Sequence, residues 1–513
     1  MTDARVALRS FAIYAICIPL ALFLGYLLAN PMDMGSFALF SVVLLIISAP
    51  ILLRFHYPLM LLAWNSGMLL FFLPGAANVW LVAIAGSFAV AFSHHVMDKK
   101  VQFLSVPELT RPLLVLAAIV LGTGMLRGGF GMRAFGGEEV GGRRYIWLFV
   151  GILGYFALTT QTIQRDKAVR YVGLFLLGGA APLIGGLYGI LPPFMDFLFQ
   201  FFPPSSLPDA GVLGGVSRFG GAKEASFAVF SYMLMRYGIR GMLAPGRKHL
   251  FIILCIVGGA GLFGGFRTLL VTLVMLFGFQ FYWEGMLRTK WAAIFAGALI
   301  MLVIGAAPVV DKLPLAIQRT LAFLPVSVNP QAKADAAGST EWRLEMWRAA
   351  LPDIPKYLLL GKGYLITRQD FFYMTDRAFH EYDVEERGAF IAGDYHNGPL
   401  SVIMPLGIWG VLAFGWFFWV GCRVLHRNYR YGNPALLKIN TFLLANYATK
   451  LVIFLFVFGG VYADMVAFTG ILGLSVALNG GVAKPAAAGA QAPAESQSEP
   501  PKQTRRLELI PNV

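Results

Sequence analysis

The stretch INTFLLANYATKLVIFLFVFGGVYADMVAFTGILGLSVAL, residues 439–478, sets the fold class. It reads as two apolar segments, 439–457 and 461–478. Each is close to the roughly 20 residues that a helix needs to cross a bilayer. Neither shows the ten-residue alternation of barrel strands. Backbone inside lipid must satisfy its own polar groups, so segments of this kind cross as helices. Lys450 falls in the middle of the first segment, and a charge within the membrane is a functional-site candidate by default. Its alternative is an ammonium that snorkels to the interface.

Similar segments recur towards the N-terminus, near 11–29, 36–53, 59–74, 78–93, 112–126, 145–160, 171–190, 224–239, 249–264, 268–282, 291–308 and 397–421. The composition agrees. Of 513 residues, 58% are hydrophobic and 13% charged, and the mean hydropathy is +0.68. Soluble chains carry roughly 25% charge. A soluble enzyme, a secreted disulfide scaffold and a disordered chain are therefore excluded. The expected fold is an all-α polytopic membrane protein with about 12–14 transmembrane helices. Residues 1–308 would hold helices 1–11, 309–396 one large, partly helical loop, 397–480 helices 12–14, and 481–513 a disordered cytoplasmic tail. Phe11–Ala29 reads as the first span, because it lacks a small-residue cleavage site.

The formal charge of +14 fits a membrane better than a nucleic acid, since Lys and Arg collect in cytoplasmic loops. With the N-terminus inside, alternate loops hold 19 Lys and Arg, against 7 in the short loops opposite. Both termini are then cytoplasmic, and the 309–396 loop faces outward. Cys17, Cys255 and Cys422 lack paired spacing and read as small core residues. His94-His95 beside Asp98 reads as a solvated loop, and no metal or cofactor motif occurs.

The chemistry-bearing candidates stand at outer span ends. Arg267, in GGFRTLLVTL, occupies a short turn before an apolar helix, where the helix dipole and the guanidinium fork both favour a phosphate. Arg218, with Lys223 nearby, follows a Pro/Gly-rich stretch at a comparable depth. Headgroup anchoring is the alternative for both. His396, in GDYHNGPLSVIMPLG, stands where the large loop re-enters the membrane, flanked by Asp394, Tyr395 and Asn397. Histidine exchanges protons near neutral pH, so it suits a base for a hydroxyl. Asp394 would orient it, although residues i and i+2 do not meet on a helix. The run EWRLEMWRAALPDIPKYLLLGKGY, 341–364, adds Arg343 and Arg348 for phosphate or sugar and Trp342 and Trp347 for sugar stacking. Gly361 and Gly363 imply a tight turn. Glu341–Leu351 has the spacing of an amphipathic surface helix, stopped at Asp353-Ile-Pro355.

The order of these motifs resembles the bacterial O-antigen ligase and polymerase superfamily of Wzy type, over roughly residues 215–420. The resemblance rests on an external Arg between late spans and one long loop with Arg343-x-x-x-Trp347. It continues through Gly361-Lys-Gly363 and His396-Asn397 at re-entry. Gly265, Phe266 and Thr268 depart from the family's Ser-Arg-Gly. It implies a metal-independent glycosyltransferase of GT-C type in the bacterial inner membrane, without cofactor. The donor would be a glycan on undecaprenyl diphosphate, and the acceptor a hydroxyl of a lipid, a glycan or a protein at the periplasmic face. Arg218 and Arg267 would hold the diphosphate with Arg343 assisting, and His396 would activate the acceptor hydroxyl or orient donor and acceptor, with inversion at the anomeric carbon. A ligase, a polymerase and a protein O-oligosaccharyltransferase differ only in the acceptor. A transporter or flippase without catalysis is the contrasting class, and would place charges mid-span, as at Lys450.

Overall fold

The computed structural model describes residues 18–22, 25, 34–73, 75–98, 103–132, 140–204, 216, 218–306, 308–367 and 390–485. Helices account for almost all of the regular structure. Strand content among the described residues is one two-residue hairpin, β1 (Leu69–Leu70) against β2 (Ala77–Asn78). The main helices are α1 (Met34–Ala63), α2 (Val79–Met97), α3 (Pro107–Arg127), α4 (Gly142–Leu158), α5 (Ala168–Leu177), α6 (Ala222–Met242) and α7 (Lys248–Ala260). They continue as α8 (Arg267–Trp283), α9 (Lys290–Ala306), α10 (Leu315–Leu321), α11 (Pro330–Ala350), α12 (Gly398–Tyr431), α13 (Leu437–Phe456) and α14 (Val461–Asn479). Among the described residues, seven helical segments are long and apolar enough to cross a membrane, and three shorter apolar ones accompany them.

Three expected spans are drawn differently. The segments 36–53 and 59–74 share the single helix α1, which runs on through a kink at Phe55 and stops at Ala63. Residues 64–73 are turn and hairpin strand. The segment 171–190 also breaks: α5 ends at Leu177 and the chain proceeds in short helical turns. Apolar length marks membrane depth, but helix breaks at Gly and Pro decide how a span is divided. Most of the expected first span and the tail beyond residue 485 lie outside the described residues.

The core is the contact of α14 along α4, with α12, α13, α2 and α3 around it. Tyr145, Phe417, Phe442, Tyr447 and Phe468 are fully enclosed there. Trp419, Phe456, Ile304 and Met125 point outward. An apolar exterior of this extent is what lipid solvates and water does not. Helix association in lipid leans on small residues and interhelical polar contacts. Gly151 and Gly473 let α4 and α14 approach closely, and Gly470 leaves room for Trp64 and Phe175. At one end Asn479 Nδ2 donates to Asn440 Oδ1 (2.9 Å), Asn440 Nδ2 to the Asn428 carbonyl (2.9 Å) and Asn428 Nδ2 to Ser475 Oγ (2.9 Å).

The 309–367 segment folds back onto the helix ends. α10 buries Gln318, Arg319 and Thr320 at the turn before α8. α11 is a full 21 residues, longer than the expected Glu341–Leu351, and is capped by the Asn329 side chain at the Gln331 N–H (2.9 Å). It ends at Ala350. Pro355 then opens a further helical turn, Ile354–Tyr357. The loop aromatics Phe371, Phe372, Tyr373, Phe379 and Tyr382 lie outside the described residues.

Candidate functional site

His396 and Asp394 do meet, because the segment is a turn and not a helix. His396 takes a left-handed backbone, φ +48°, just before α12 begins. Such a conformation is uncommon outside glycine and marks an imposed geometry. It brings His396 Nδ1 to 3.3 Å from Asp394 Oδ1. Tyr462, on α14, donates its hydroxyl to Asp394 Oδ2 (3.2 Å). Burial alone would raise the Asp394 carboxyl. The bond and charge of the His396 ring, the Tyr462 hydroxyl and the His396 N–H outweigh it, so the carboxyl lies below its ordinary value.

The turn is clamped from several sides. Asn397 caps α12, accepting from the Leu400 N–H (3.0 Å). Trp347 Nε1 donates to the Tyr395 carbonyl (2.8 Å), so this indole holds the turn. Trp342 meets the His396 ring edge to face at 5.1 Å, and Phe458 stacks on it at 5.0 Å. The Phe458 N–H donates to the Ile453 carbonyl (2.8 Å), and nearby the Val461 N–H donates to Ser401 Oγ (3.0 Å).

The arginines gather beside this turn. Arg343 lies over the same Phe458 ring, 5.5 Å from its centre. Its Nε is buried with no hydrogen-bond partner among the described residues. Burial first, then repulsion from Arg267 and Arg319, pulls its guanidinium below the ordinary value. Arg267 opens α8 and donates to Thr340 Oγ1 on α11 (3.0 Å). Arg218 stands 3.7 Å from Asp335, and its guanidinium lies over Phe266 at 5.3 Å. Lys223 Nζ is 4.5 Å from the same ring centre. Gly265, at φ +70°, leaves room for the Arg218 side chain.

Arg319 and Asp335 were not among the sequence candidates. Arg319 is 4% exposed, paired with Asp335 and bonded to the Gly265 carbonyl. It ties α10 to the turn that carries Arg267. The available signal was the polar triplet Gln318-Arg319-Thr320 inside an otherwise apolar helix. Tyr462 and Phe458 were also missed, since aromatics at span ends are common in any membrane protein.

Gly361 and Gly363 have a packing role. α12 is broken at Gly407, φ +65°, two residues after Pro405. The break frees carbonyls, which accept from the Lys362 N–H (Met404, 2.7 Å) and the Gly363 N–H (Pro405, 3.0 Å). A Cβ on Gly361 would overlap the Pro405 carbonyl. Lys450 lies within electrostatic reach of the buried Asp464, so the mid-span charge has a counter-charge. Among the described residues no three His, Cys, Asp or Glu side chains converge.

These features define a polytopic helical membrane protein that concentrates guanidinium groups around a histidine turn at its loop-bearing end. A family model described as O-antigen ligase matches residues 249–415, and this match supports the resemblance of that part of the chain to the O-antigen ligase and polymerase superfamily. No curated protein matches the chain.

Proposed function

We propose that the chain is a glycosyltransferase of the outer face of a bacterial inner membrane, moving a glycan from undecaprenyl diphosphate to an acceptor hydroxyl. The observation that carries this reading is the His396–Asp394 pair set beside Arg343, Arg267, Arg319 and Arg218. Arg218, Arg319 and Arg267 share the charge of Asp335, while Arg343 is repelled by Arg267 and Arg319. Such a surplus favours a departing diphosphate, whose negative charge grows as the bond to the sugar breaks. With Nδ1 turned to Asp394, Nε2 is the ring nitrogen left for the acceptor. Nε2 takes the hydroxyl proton as the acceptor oxygen bonds to the anomeric carbon. The bond from that carbon to the diphosphate oxygen breaks, and its electron pair leaves with the diphosphate. A single displacement of this kind inverts the anomeric carbon. Positive charge supplied by arginines gives the reaction a metal-independent leaving-group trap.

The test is transfer in vitro from a labelled undecaprenyl-diphosphate glycan to lipid, glycan and peptide acceptors, with chelator present. The wild type should transfer, and His396→Ala should lose about 10²- to 10⁴-fold in kcat. Full activity in a folded His396→Ala sample would overturn the site. Absence of transfer to every acceptor would favour a non-catalytic carrier.

A further inference from the structure

The arginine cluster carries its own counter-ion. Asp335 Oδ2 pairs with Arg319 and stands 3.7 Å from Arg218 Nη2, so both contacts fall on one carboxylate oxygen. The same carboxylate lies within electrostatic reach of Arg267. Thr340 Oγ1 accepts a hydrogen bond from Arg267 Nη2 (3.0 Å). Asp335 and Thr340 both belong to α11. One helix therefore offers oxygen partners to the guanidiniums that the transferase reading gives to a diphosphate.

These partners differ in how firmly they are held. Arg319 is buried and bonded to the Gly265 carbonyl, so it is fixed in place. Arg218 and Arg267 are half-buried, and Thr340 is exposed. Arg218 and Arg267 can change partners without opening the core. A diphosphate gains them by taking them from α11. After transfer the exchange runs backward. When the bond to the sugar breaks, the diphosphate keeps the electron pair and becomes more negative. An unopposed arginine cluster would then hold the product more tightly than the donor, and product release limits many enzymes. A carboxylate tethered beside the cluster competes at an effective concentration of order mM.

Resting on the transferase reading, we infer that Asp335 is a tethered rival of the diphosphate. It yields the arginines to the donor and reclaims them after transfer, so that the product is released. Asp335 touches neither the sugar nor the acceptor; it acts on turnover.

The test is calorimetric binding of inorganic diphosphate to the full chain in detergent, followed by steady-state transfer. Asp335→Asn keeps the shape and removes the charge. It should tighten diphosphate binding about tenfold, the worth of one charge-assisted contact. In transfer, the donor KM and kcat should fall together, and inhibition by added diphosphate should strengthen by a similar factor. A merely structural residue gives the opposite sign, because a disturbed cluster binds diphosphate more weakly. Asp335→Glu, which keeps the charge, should return binding to within about threefold of the wild type. Glu345→Gln, on an exposed side of α11, removes an equal charge and should change binding by less than about twofold. If Asp335→Asn does not fold, Thr340→Val removes the Arg267 partner at an exposed position and should tighten binding about threefold. Binding that is absent, unchanged or weakened in the folded variant, or equal tightening in Glu345→Gln, would overturn the inference. Binding needs no catalysis. If Asp335→Asn tightens diphosphate but the wild type moves no glycan, the rival carboxylate stands and the transferase reading falls. If glycan moves and binding is not tightened, the reverse holds.

Discussion

At the residue scale, the decisive element is a turn that a helical-wheel argument would not find. Asp394 and His396 are two apart, a spacing that separates side chains on a helix. The left-handed backbone at His396 turns the ring back onto the carboxylate. Asp394 does not touch substrate in this reading; it positions the imidazole. Asp394→Asn should therefore lower kcat by about 10²-fold or more while leaving the donor KM within about twofold. A change confined to KM would contradict the positioning role. The pH dependence follows from the sign of the carboxyl shift. A folded carboxyl held below its ordinary 3.8 stabilises the turn fully above that pH. The contribution fades as pH falls through the lowered value. Thermal unfolding measured from pH 6 downward should show an acid limb in the wild type that is weakened in Asp394→Asn.

At the scale of elements, the apolar spans were legible because length and composition alone report membrane depth. The joints were not. Nothing in the hydropathy of 36–74 tells one kinked helix and a hairpin from two spans. The break in α12 was half visible as Pro405 and Gly407, but its partner lies some 45 residues earlier, at Lys362-Gly363. The GKG stretch read as a tight turn from sequence, and its backbone N–H groups fill the acceptors that the break exposes. This contact fastens the large loop to the start of α12 and so fixes the distance from α11 to His396. Gly361, at φ +69° against the Pro405 carbonyl, has no room for a side chain. Gly361→Ala should destabilise by about 1–3 kcal/mol, read as a lower apparent Tm of the purified protein. An unchanged Tm would mean that the turn is not a fastening point. Trp347 carries a similar lesson. Stacking on sugar was a fair reading of the residue type, and the hydrogen bond of this half-buried indole to the Tyr395 carbonyl shows what occupies its N–H.

At the scale of the whole molecule, the charge distribution and the site make one joint demand. Arg218, Arg267, Arg319, Arg343 and His396 all collect where the 309–396 loop joins the helices. Positive residues ordinarily favour the cytoplasmic side. If that end faces outward, its four arginines run against this bias and need a local reason. An anionic ligand supplies one, and it is the same reason that would place the site on the outer face. The demand is testable without substrate. In a cysteine-free background, Gly338→Cys lies on the exposed side of α11 with open space around its Cβ. Lys248→Cys lies at the exposed start of α7, in a loop expected to be cytoplasmic. A membrane-impermeant maleimide applied to intact spheroplasts should label the first and spare the second. Permeabilisation should make the two equal. The opposite pattern would put His396 inside, where a bilayer-spanning donor presents no outward glycan. The arginine cluster would then be explained by the inward bias alone, with no need of a diphosphate.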